Sequence, residues 1–215
     1  MKNLVFTLLT VFAFSLAIQN VTAQFSNREM RKTLKMRPPR EVRKEARDYE
    51  KDGYMVAVGA PTLRRQLANA WMKEVETEEN GFPKYIVASG NSVGETQIAS
   101  KLQATEAAKL ELAGTIATNV AALIENNIAN SQLNTEDAAS VTKTVAASKN
   151  IIAQELGRVL PLVELYRNIG KNREANVRIA YNSEMAMELA KKVIRKSLEE
   201  DTQILQEKLE MLMKF

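Results

Sequence analysis

The chain has 215 residues, no cysteine, no histidine and a formal net charge of +4. Without cysteine it can form no disulfide, thiolate metal site or catalytic thiol, and without histidine it lacks the commonest general base and transition-metal ligand. These absences exclude thiol enzymes and weaken most other enzyme hypotheses. The sequence accordingly predicts no catalytic residue, no cofactor-binding residue and no metal ligand.

Residues 1–23 have the pattern of a secretory signal peptide. Lys2 precedes an uncharged apolar run at 4–17, and the small or branched residues VTA stand just before a cleavage point at Gln24. A retained membrane anchor is the alternative, but a run of about 14 residues is shorter than the roughly 20 that span a bilayer. We therefore expect export, with no transmembrane segment in the mature chain. An exported protein without disulfides fits a bacterial periplasm or cell surface.

Residues 24–51 form a basic leader. Arg28 to Lys51 holds ten basic and five acidic side chains, and two consecutive prolines at 38 and 39 interrupt the segment. Few apolar residues are available for packing, which predicts a flexible, loosely attached arm. The leader either contacts an anionic envelope surface or serves as a solvated spacer, and both interpretations stay open. Nucleic acid is not an expected partner of an exported chain.

Residues 52–215 are predicted to form one domain, which begins with a strand and a helix. The strand is 55–60, a short apolar run bounded by glycine and proline. The helix is 62–77, where apolar residues recur at intervals of three and four. Its stripe consists of Leu63, Leu67, Ala70, Trp71 and Val75. Trp71, the single tryptophan, is expected to be a core anchor rather than a platform for a ligand.

The centre of the domain is predicted to be a strand at 85–88, a glycine-containing turn at 90–94 and a long alanine-rich helix. Ser92 and Glu95 have the spacing of a capping box, which would start the helix. The glycines of the turn lack the spacing of a phosphate-binding loop. Alanine favours the helix and allows another element to pack closely against it. The apolar stripe of this helix is Ile98, Leu102, Leu112, Ile116, Val120 and Leu123, with Thr105 on the same side.

The next three elements are predicted to be a helix at 134–156 and two strands joined by a turn. Pro161 lies in the first strand, 158–167, and predicts an edge or bulged position because proline cannot donate a ladder hydrogen bond. In the second strand, 174–181, apolar and polar residues alternate. This alternation predicts one buried face and one solvated face.

The last helix is predicted at 183–213, roughly 45 Å long, which exceeds what a domain of this size needs. Its apolar stripe is Leu189, Val193, Ile194, Leu198, Leu205, Leu209 and Leu212. This helix either packs on the alanine-rich helix or projects and mediates binding of a protein partner or self-association.

Serines with lysines and pairs of carboxylates are the remaining candidates for catalysis. Ser89 and Ser92 lie near the central turn, but no S-x-x-K pattern surrounds them. The acids at 78–79 and 199–201 are typical of solvated helix surfaces and lack the spacing of a calcium loop. An exported hydrolase that uses carboxylates stays open as an alternative, and it requires acids that converge on a cleft.

The segment 85–196 combines several recognisable features. The sequence ASGNSVGE leads into the helix TEAAKLELAGTIA, and a later hairpin ends in REANVRIAYNSEMAMELAKKVI. This layout resembles the small bacterial envelope lipoproteins of the Lpp-twenty type. The resemblance implies a strand, a long helix, a strand pair and a helix in that order, a cell-envelope location and no established enzymatic activity. The chain has no lipobox cysteine, so acylation is not expected.

These patterns predict an α+β fold with a small, mainly antiparallel sheet of about four strands, covered on one face by long helices. The expected function is that of a non-enzymatic envelope protein, periplasmic or associated with the outer membrane, that binds a partner, binds the envelope surface or assembles with itself. A surface adhesin or antigen is a further alternative.

Overall fold

The computed structural model describes residues 38–128 and 135–201, together with Glu210 and Met213. The predicted signal peptide 1–23 and the leader as far as residue 37 lie outside these residues. The described part is an α+β domain, as predicted. Its elements are α1 (Arg40–Lys51), α2 (Leu63–Val75), β1 (Tyr85–Gly94), α3 (Gln97–Ile128), α4 (Thr135–Ala147), α5 (Lys149–Glu155), β2 (Leu160–Ile169), β3 (Asn172–Asn182) and α6 (Ser183–Asp201).

The sheet of the described domain has three antiparallel strands in the order β1-β3-β2 rather than about four. The predicted strand at 55–60 contributes only an isolated bridge, between Met55 and Tyr166. Pairing stops there because the chain turns: Val58 is fully exposed and Gly59 has a φ of +82°. The prediction of an edge or bulged strand at Pro161 is confirmed, since the β2 register shifts between Pro161 and Val163.

β1 continues through the turn that was predicted at 90–94, so the predicted capping box is wrong. Ser92 lies in the strand, and its hydroxyl donates a hydrogen bond to Gln103. The helix begins later, where the Thr96 hydroxyl accepts a hydrogen bond from the N–H of Ala99. Gly90 serves close packing instead of a turn, because a Cβ there would lie 2.0 Å from the carbonyl oxygen of Ala104.

α3 crosses one face of the sheet and then continues against the other helices. Its alanines 104 and 108 are buried near the strands, and Leu112, Ile116 and Val120 are buried further along. Two members of the predicted apolar stripe are instead exposed to solvent, Ile98 by 80% and Leu102 by 63%. The stripe extends beyond the helices that cover it.

Residues 97–124 of α3 are long and apolar enough to cross a membrane, and 39% of the most apolar window is buried inside the domain. Length and composition alone do not decide whether a helix spans a membrane, so the expectation of no transmembrane segment in the mature chain stays a prediction. The buried helix of a globular core passes the same test, and Ala104 and Ala108 belong to the main core of this domain.

The helix predicted at 134–156 is divided into α4 and α5 at Ser148. The Ser148 hydroxyl donates a hydrogen bond to the Thr144 carbonyl four residues earlier, a contact that often bends helices. Val141, Val145 and Ile152 are buried, so the predicted apolar pattern is correct across the break.

The opposite face of the sheet is covered by α1 and α2, which corrects the expectation that helices would cover one face only. Val42, Ala46 and Leu67 are at most 2% exposed and pack in a second core with β2 and β3. Residues 40–51 of the predicted flexible leader therefore belong to the folded domain. The second face of β3 is not solvated, because Arg178 lies beneath these helices with 15% of its side chain exposed.

α6 accounts for the first part of the predicted helix 183–213, and the remainder lies outside the described residues except for Glu210 and Met213. The guanidinium of Arg195 forms an ion pair with Glu210, and Met213 packs against the main core.

Both edge strands use a side chain as a hydrogen-bond partner for an outward N–H group. On β1, the N–H of Ser89 donates to the Glu111 carboxylate at 3.0 Å. On β2, the N–H of Glu164 donates to the Gln66 side-chain carbonyl at 2.7 Å. These contacts attach α3 and α2 to the two edges.

Candidate binding groove

An open groove with a volume of about 1220 Å³ lies between α2 and the first half of β2. This volume exceeds the usual range of small-molecule pockets, which is roughly 300–1,000 Å³. Eight of the sixteen residues that line the groove are apolar. They are Pro38, Ala60, Pro61, Ala68, Met72, Pro161, Leu162 and Val163. The groove therefore suits an extended ligand better than a compact metabolite.

Gln66 and the β2 bulge hold the two walls of the groove together. Gln66 is 7% exposed, and its amide nitrogen donates a hydrogen bond to the Pro61 carbonyl at 2.9 Å. Its side-chain oxygen accepts the N–H of Glu164, so one residue joins the start of α2 to the edge of β2. Pro161 has no N–H to offer on this edge, and the register shift beside it displaces the strand locally.

Acidic side chains around the groove are neutralised by ion pairs. Glu76 is 2.8 Å from Lys73 and 3.8 Å from Lys84. Burial alone would lower the pKa of Lys73, but hydrogen bonds with Glu76 and Tyr85 outweigh it and raise this pKa. Lys73 also lies 4.2 Å from the centre of the Tyr85 ring, a cation–π contact.

Two arginines lie at the rim of the groove. Arg64 forms a solvent-exposed ion pair with Glu50 at 3.3 Å. Arg65 is exposed and makes no ion pair within the part of the chain that the structure describes. The rim therefore offers a positive charge to a ligand.

The two glutamates that line the groove do not converge on a common point. The Glu164 carboxylate lies 2.6 Å from Lys101 and accepts the Tyr166 hydroxyl at 2.5 Å, on the α3 side of the sheet. Glu76 is engaged with lysines on the α2 side. A pair of glycosidase carboxylates must face each other across one cleft, so this arrangement does not match that mechanism.

The other residues weighed as catalytic candidates lie apart from the groove. Ser89 and Ser92 are on β1, where they contact Glu111 and Gln103 of α3. The acids of the predicted surface runs form exposed ion pairs: Glu78 with Lys84, Glu199 with Arg195 and Glu200 with Lys196. Among the described residues, no group of three or more acids is placed to hold a metal ion.

A charged network beneath α1 and α2 was not predicted from the sequence. Arg178 pairs with Glu45 of α1 at 2.6 Å and with Glu74 of α2 at 3.3 Å. Further along β3, Glu174 pairs with Arg167 and accepts a hydrogen bond from Asn91. Alternating polar residues on a strand ordinarily indicate a wet face, so no sequence signal distinguished these buried pairs.

Burial would raise the pKa of the Glu174 carboxyl, but hydrogen bonds from Arg167 and Asn91 outweigh this and hold its pKa below its ordinary value. Tyr54 stacks its ring beneath the Arg167 guanidinium at 4.7 Å. The network therefore fixes α1 and the loop after it on the sheet, and it has the character of a structural tie.

Comparison with protein-family models, curated proteins and solved structures gave no match to this chain. The resemblance to envelope lipoproteins of the Lpp-twenty type therefore stays a prediction, and function has to be argued from the chain itself.

Proposed function

We propose that this protein is an exported, non-enzymatic component of the bacterial cell envelope that binds an acidic segment of a partner protein in the groove between α2 and β2. The observation that carries the proposal is the groove itself, whose lining residues are half apolar and half polar, with Arg64 and Arg65 at its rim. Its glutamates are already paired with lysines. These features favour binding of a ligand over catalysis.

The segment that precedes the groove residue Pro38 in the chain is basic. Pro38 lines the groove, and the ten residues before it, 28–37, contain five basic side chains and one acidic one. A concentration of one sign of charge at a binding site speeds encounter with a partner of the opposite sign. An acidic polypeptide therefore fits this end of the domain better than a basic or neutral one.

Export is supported by the signal-peptide pattern in residues 1–23 and by the resemblance of 85–196 to envelope lipoproteins. The absence of cysteine fits a bacterial envelope better than a disulfide-stapled secreted domain. We propose a periplasmic or outer-membrane-associated location, with the cell surface as the alternative expected of an adhesin.

Self-association through the last helix is a weaker candidate. Within the described residues, the apolar stripe of α6 is already used inside the domain, since Ala190, Ile194 and Leu198 are at most 1% exposed. An interface would have to use residues after 201, whereas the groove offers an open surface on the described domain.

Export is tested by cell fractionation and by the intact mass of the recovered protein. We expect the protein in the periplasmic or membrane fraction with a mass that starts at Gln24, or at pyroglutamate if Gln24 cyclises. A cytoplasmic protein that retains residues 1–23 would contradict the proposed location.

Binding in the groove is tested with a fluorescent, glutamate-rich decapeptide as the probe. We expect affinity to fall with added salt and to fall about tenfold in Arg65→Glu, because a favourable rim charge is reversed. Lys143→Glu is the matched control, since Lys143 is exposed on α4 outside the groove. Equal effects of the two substitutions would show general charge attraction and would contradict a site in the groove.

A further inference from the structure

The end of the sheet opposite the groove carries four exposed aliphatic side chains. Val93 and Ile169 lie on the α1–α2 face of the sheet, and Ile98 and Leu102 lie on the side of α3 that points away from the sheet. This hairpin end consists of residues 92–98 and 168–173 with the second turn of α3. Its two parts meet because Gly94 pairs with Arg173 across β1 and β3, and Ile169 pairs with Asn172 across the hairpin. The exposed fractions are 46% for Val93, 80% for Ile98, 63% for Leu102 and 41% for Ile169.

Ile98 and Leu102 are the exposed beginning of an α3 stripe that is buried further along the helix. Further along the same stripe, Ile116 and Val120 are at most 1% exposed in the main core with residues of α4–α6. The described helices leave the first two turns of α3 uncovered on that side. An apolar stripe that continues past the helices that bury it leaves a surface suited to an apolar environment outside the domain.

Basic residues lie close in the chain to three of these aliphatic residues. Lys171 and Arg173 follow Ile169, and Lys101 lies between Ile98 and Leu102 in the chain. Two nearby acids are compensated, because Glu164 pairs with Lys101 and Glu174 pairs with Arg167. The remaining charged residues at this end are Lys51, Asp52, Glu95, Lys171 and Arg173, which leaves a positive balance.

We propose that the hairpin end is a membrane-contact surface, and that its aliphatic side chains enter the headgroup region of a bilayer that contains anionic lipid. The side chains come from two helical turns, a strand end and a hairpin, and a fluid lipid surface accommodates such separated anchors. The flanking lysines and arginine reach phosphate groups while their aliphatic stems remain near the apolar layer.

The depth of Leu102 agrees with this role. Leu102, the innermost of the four side chains, is adjacent to Gln103, which contacts Ser92, two residues before the end of β1. Two residues of strand span roughly 7 Å. Interfacial segments bury their apolar side chains about 5–10 Å into the headgroup boundary. Leu102 therefore lies within the depth that such a segment enters, measured from the end of β1.

The membrane contact goes beyond the proposed function and leaves the groove accessible. Pro161, in the groove, and Ile169, at the hairpin end, are eight residues apart on β2, or roughly 26 Å. The groove would face away from the lipid. A partner could be bound while the domain stays on the membrane, and each proposal can fail without the other.

The first test is sedimentation of the mature protein with vesicles of phosphatidylethanolamine and phosphatidylglycerol. We expect the double substitution Ile98→Gln, Leu102→Gln to reduce the bound fraction about tenfold, since it removes two inserted aliphatic side chains. Leu110→Gln is the control, because Leu110 is exposed by 45% on the same helix but lies two turns further from the hairpin end. Failure to sediment, or equal loss in both variants, would overturn the proposal.

The basic leader also attracts anionic vesicles, so a second test reports on the hairpin end alone. The chain has no cysteine, and a single Ile98→Cys substitution can carry an environment-sensitive nitrobenzoxadiazole label. We expect its emission to shift to the blue on vesicle binding, whereas the same label at Val58→Cys, on the loop before α2, stays unchanged. No shift at residue 98 in sedimenting protein would assign binding to the leader and overturn the proposal.

Light scattering without lipid provides a third readout. A monomer in both the wild type and the double Gln variant agrees with a membrane contact. A dimer that the double substitution dissociates would mean that a second copy of the chain covers these residues, which overturns the proposal.

Discussion

On one face of the sheet, α3 crosses β1 with Gly90, Ala104 and Ala108 in the interface, whereas on the other face α1 and α2 are joined to β3 by the ion pairs of Arg178. The first contact depends on volume, because no flexible side chain stands between the two backbones. The second depends on charge. We expect the α3 face to respond to added atoms and the α1–α2 face to respond to pH and to loss of a charge.

The largest effect is expected from Gly90→Ala. The added Cβ would lie 2.0 Å from the Ala104 oxygen and 2.5 Å from the Ala108 nitrogen, so backbone must move. We expect a loss of about 3 kcal/mol or more in the free energy of unfolding, measured by urea denaturation. Gly157→Ala is the control, because its Cβ would meet nothing within 4 Å. Equal stability of the two variants would contradict the close approach of α3.

Arg178→Ala tests the charged face. Removal of one member of a buried ion pair typically costs 3–5 kcal/mol, but Glu45 and Glu74 are 35% and 40% exposed and stay partly hydrated. We expect a loss of about 2 kcal/mol. Arg195→Ala, which breaks the more exposed ion pairs with Glu199 and Glu210, should cost clearly less, because exposed ion pairs contribute little to stability. Similar values for both would mean that Arg178 does not hold α1 and α2.

Glu174→Gln distinguishes the faces by pH. The folded-state pKa of Glu174 lies below the ordinary value of 4.5, so its stabilisation is complete above that value and disappears as the pH falls through the folded pKa. We expect the variant to be about 1–2 kcal/mol less stable at pH 7 and equal to the wild type at strongly acidic pH. The stability difference between Gly90→Ala and the wild type should not disappear at acidic pH. Denaturation curves of both variants at several pH values test this contrast.

The smallest effect is expected from Gly114→Ala in the middle of α3. Alanine is preferred over glycine inside helices by roughly 0.5–1 kcal/mol. Its Cβ would lie 3.0 Å from the end of the Lys149 side chain, which can move aside. We therefore expect a gain of about 0.5 kcal/mol, seen as a higher thermal midpoint. A loss would show that this part of α3 is as tightly packed as the part beside Gly90.

The sequence predicts the α3 face well because its signal is local. A long run of alanine with apolar residues at helical spacing predicts a buried helix, and Leu112, Ile116 and Val120 are buried as expected. The start of that helix was misplaced because Gly90 and Gly94 read equally as turn residues. Only the proximity of Ala104 and Ser100 shows that these glycines sit beneath a helix.

The α1–α2 face is poorly predicted because its packing is not local. The fully buried residues of α1 are only Val42 and Ala46, so its sequence is typical of a charged, unpacked arm. Its attachment depends on Arg178, which is more than 120 residues away in the chain. The groove could not be predicted from the sequence because its lining also comes from distant segments. Pro61 and Pro161 are a hundred residues apart, and only the folded chain brings both to one surface.

The side chains of Glu111 and Gln66 at the two sheet edges affect how readily the protein aggregates at high concentration. The unpaired N–H and C=O groups of an open strand edge can pair with a second chain and so lead to aggregation. A protein without disulfides has no covalent cross-link that opposes strand exchange. Glu111 and Gln66, each on a neighbouring helix, accept one N–H group of an edge strand. A strand that added to either edge would have to break this hydrogen bond and move α3 or α2. We therefore expect the two residues to disfavour the addition of further strands to the sheet.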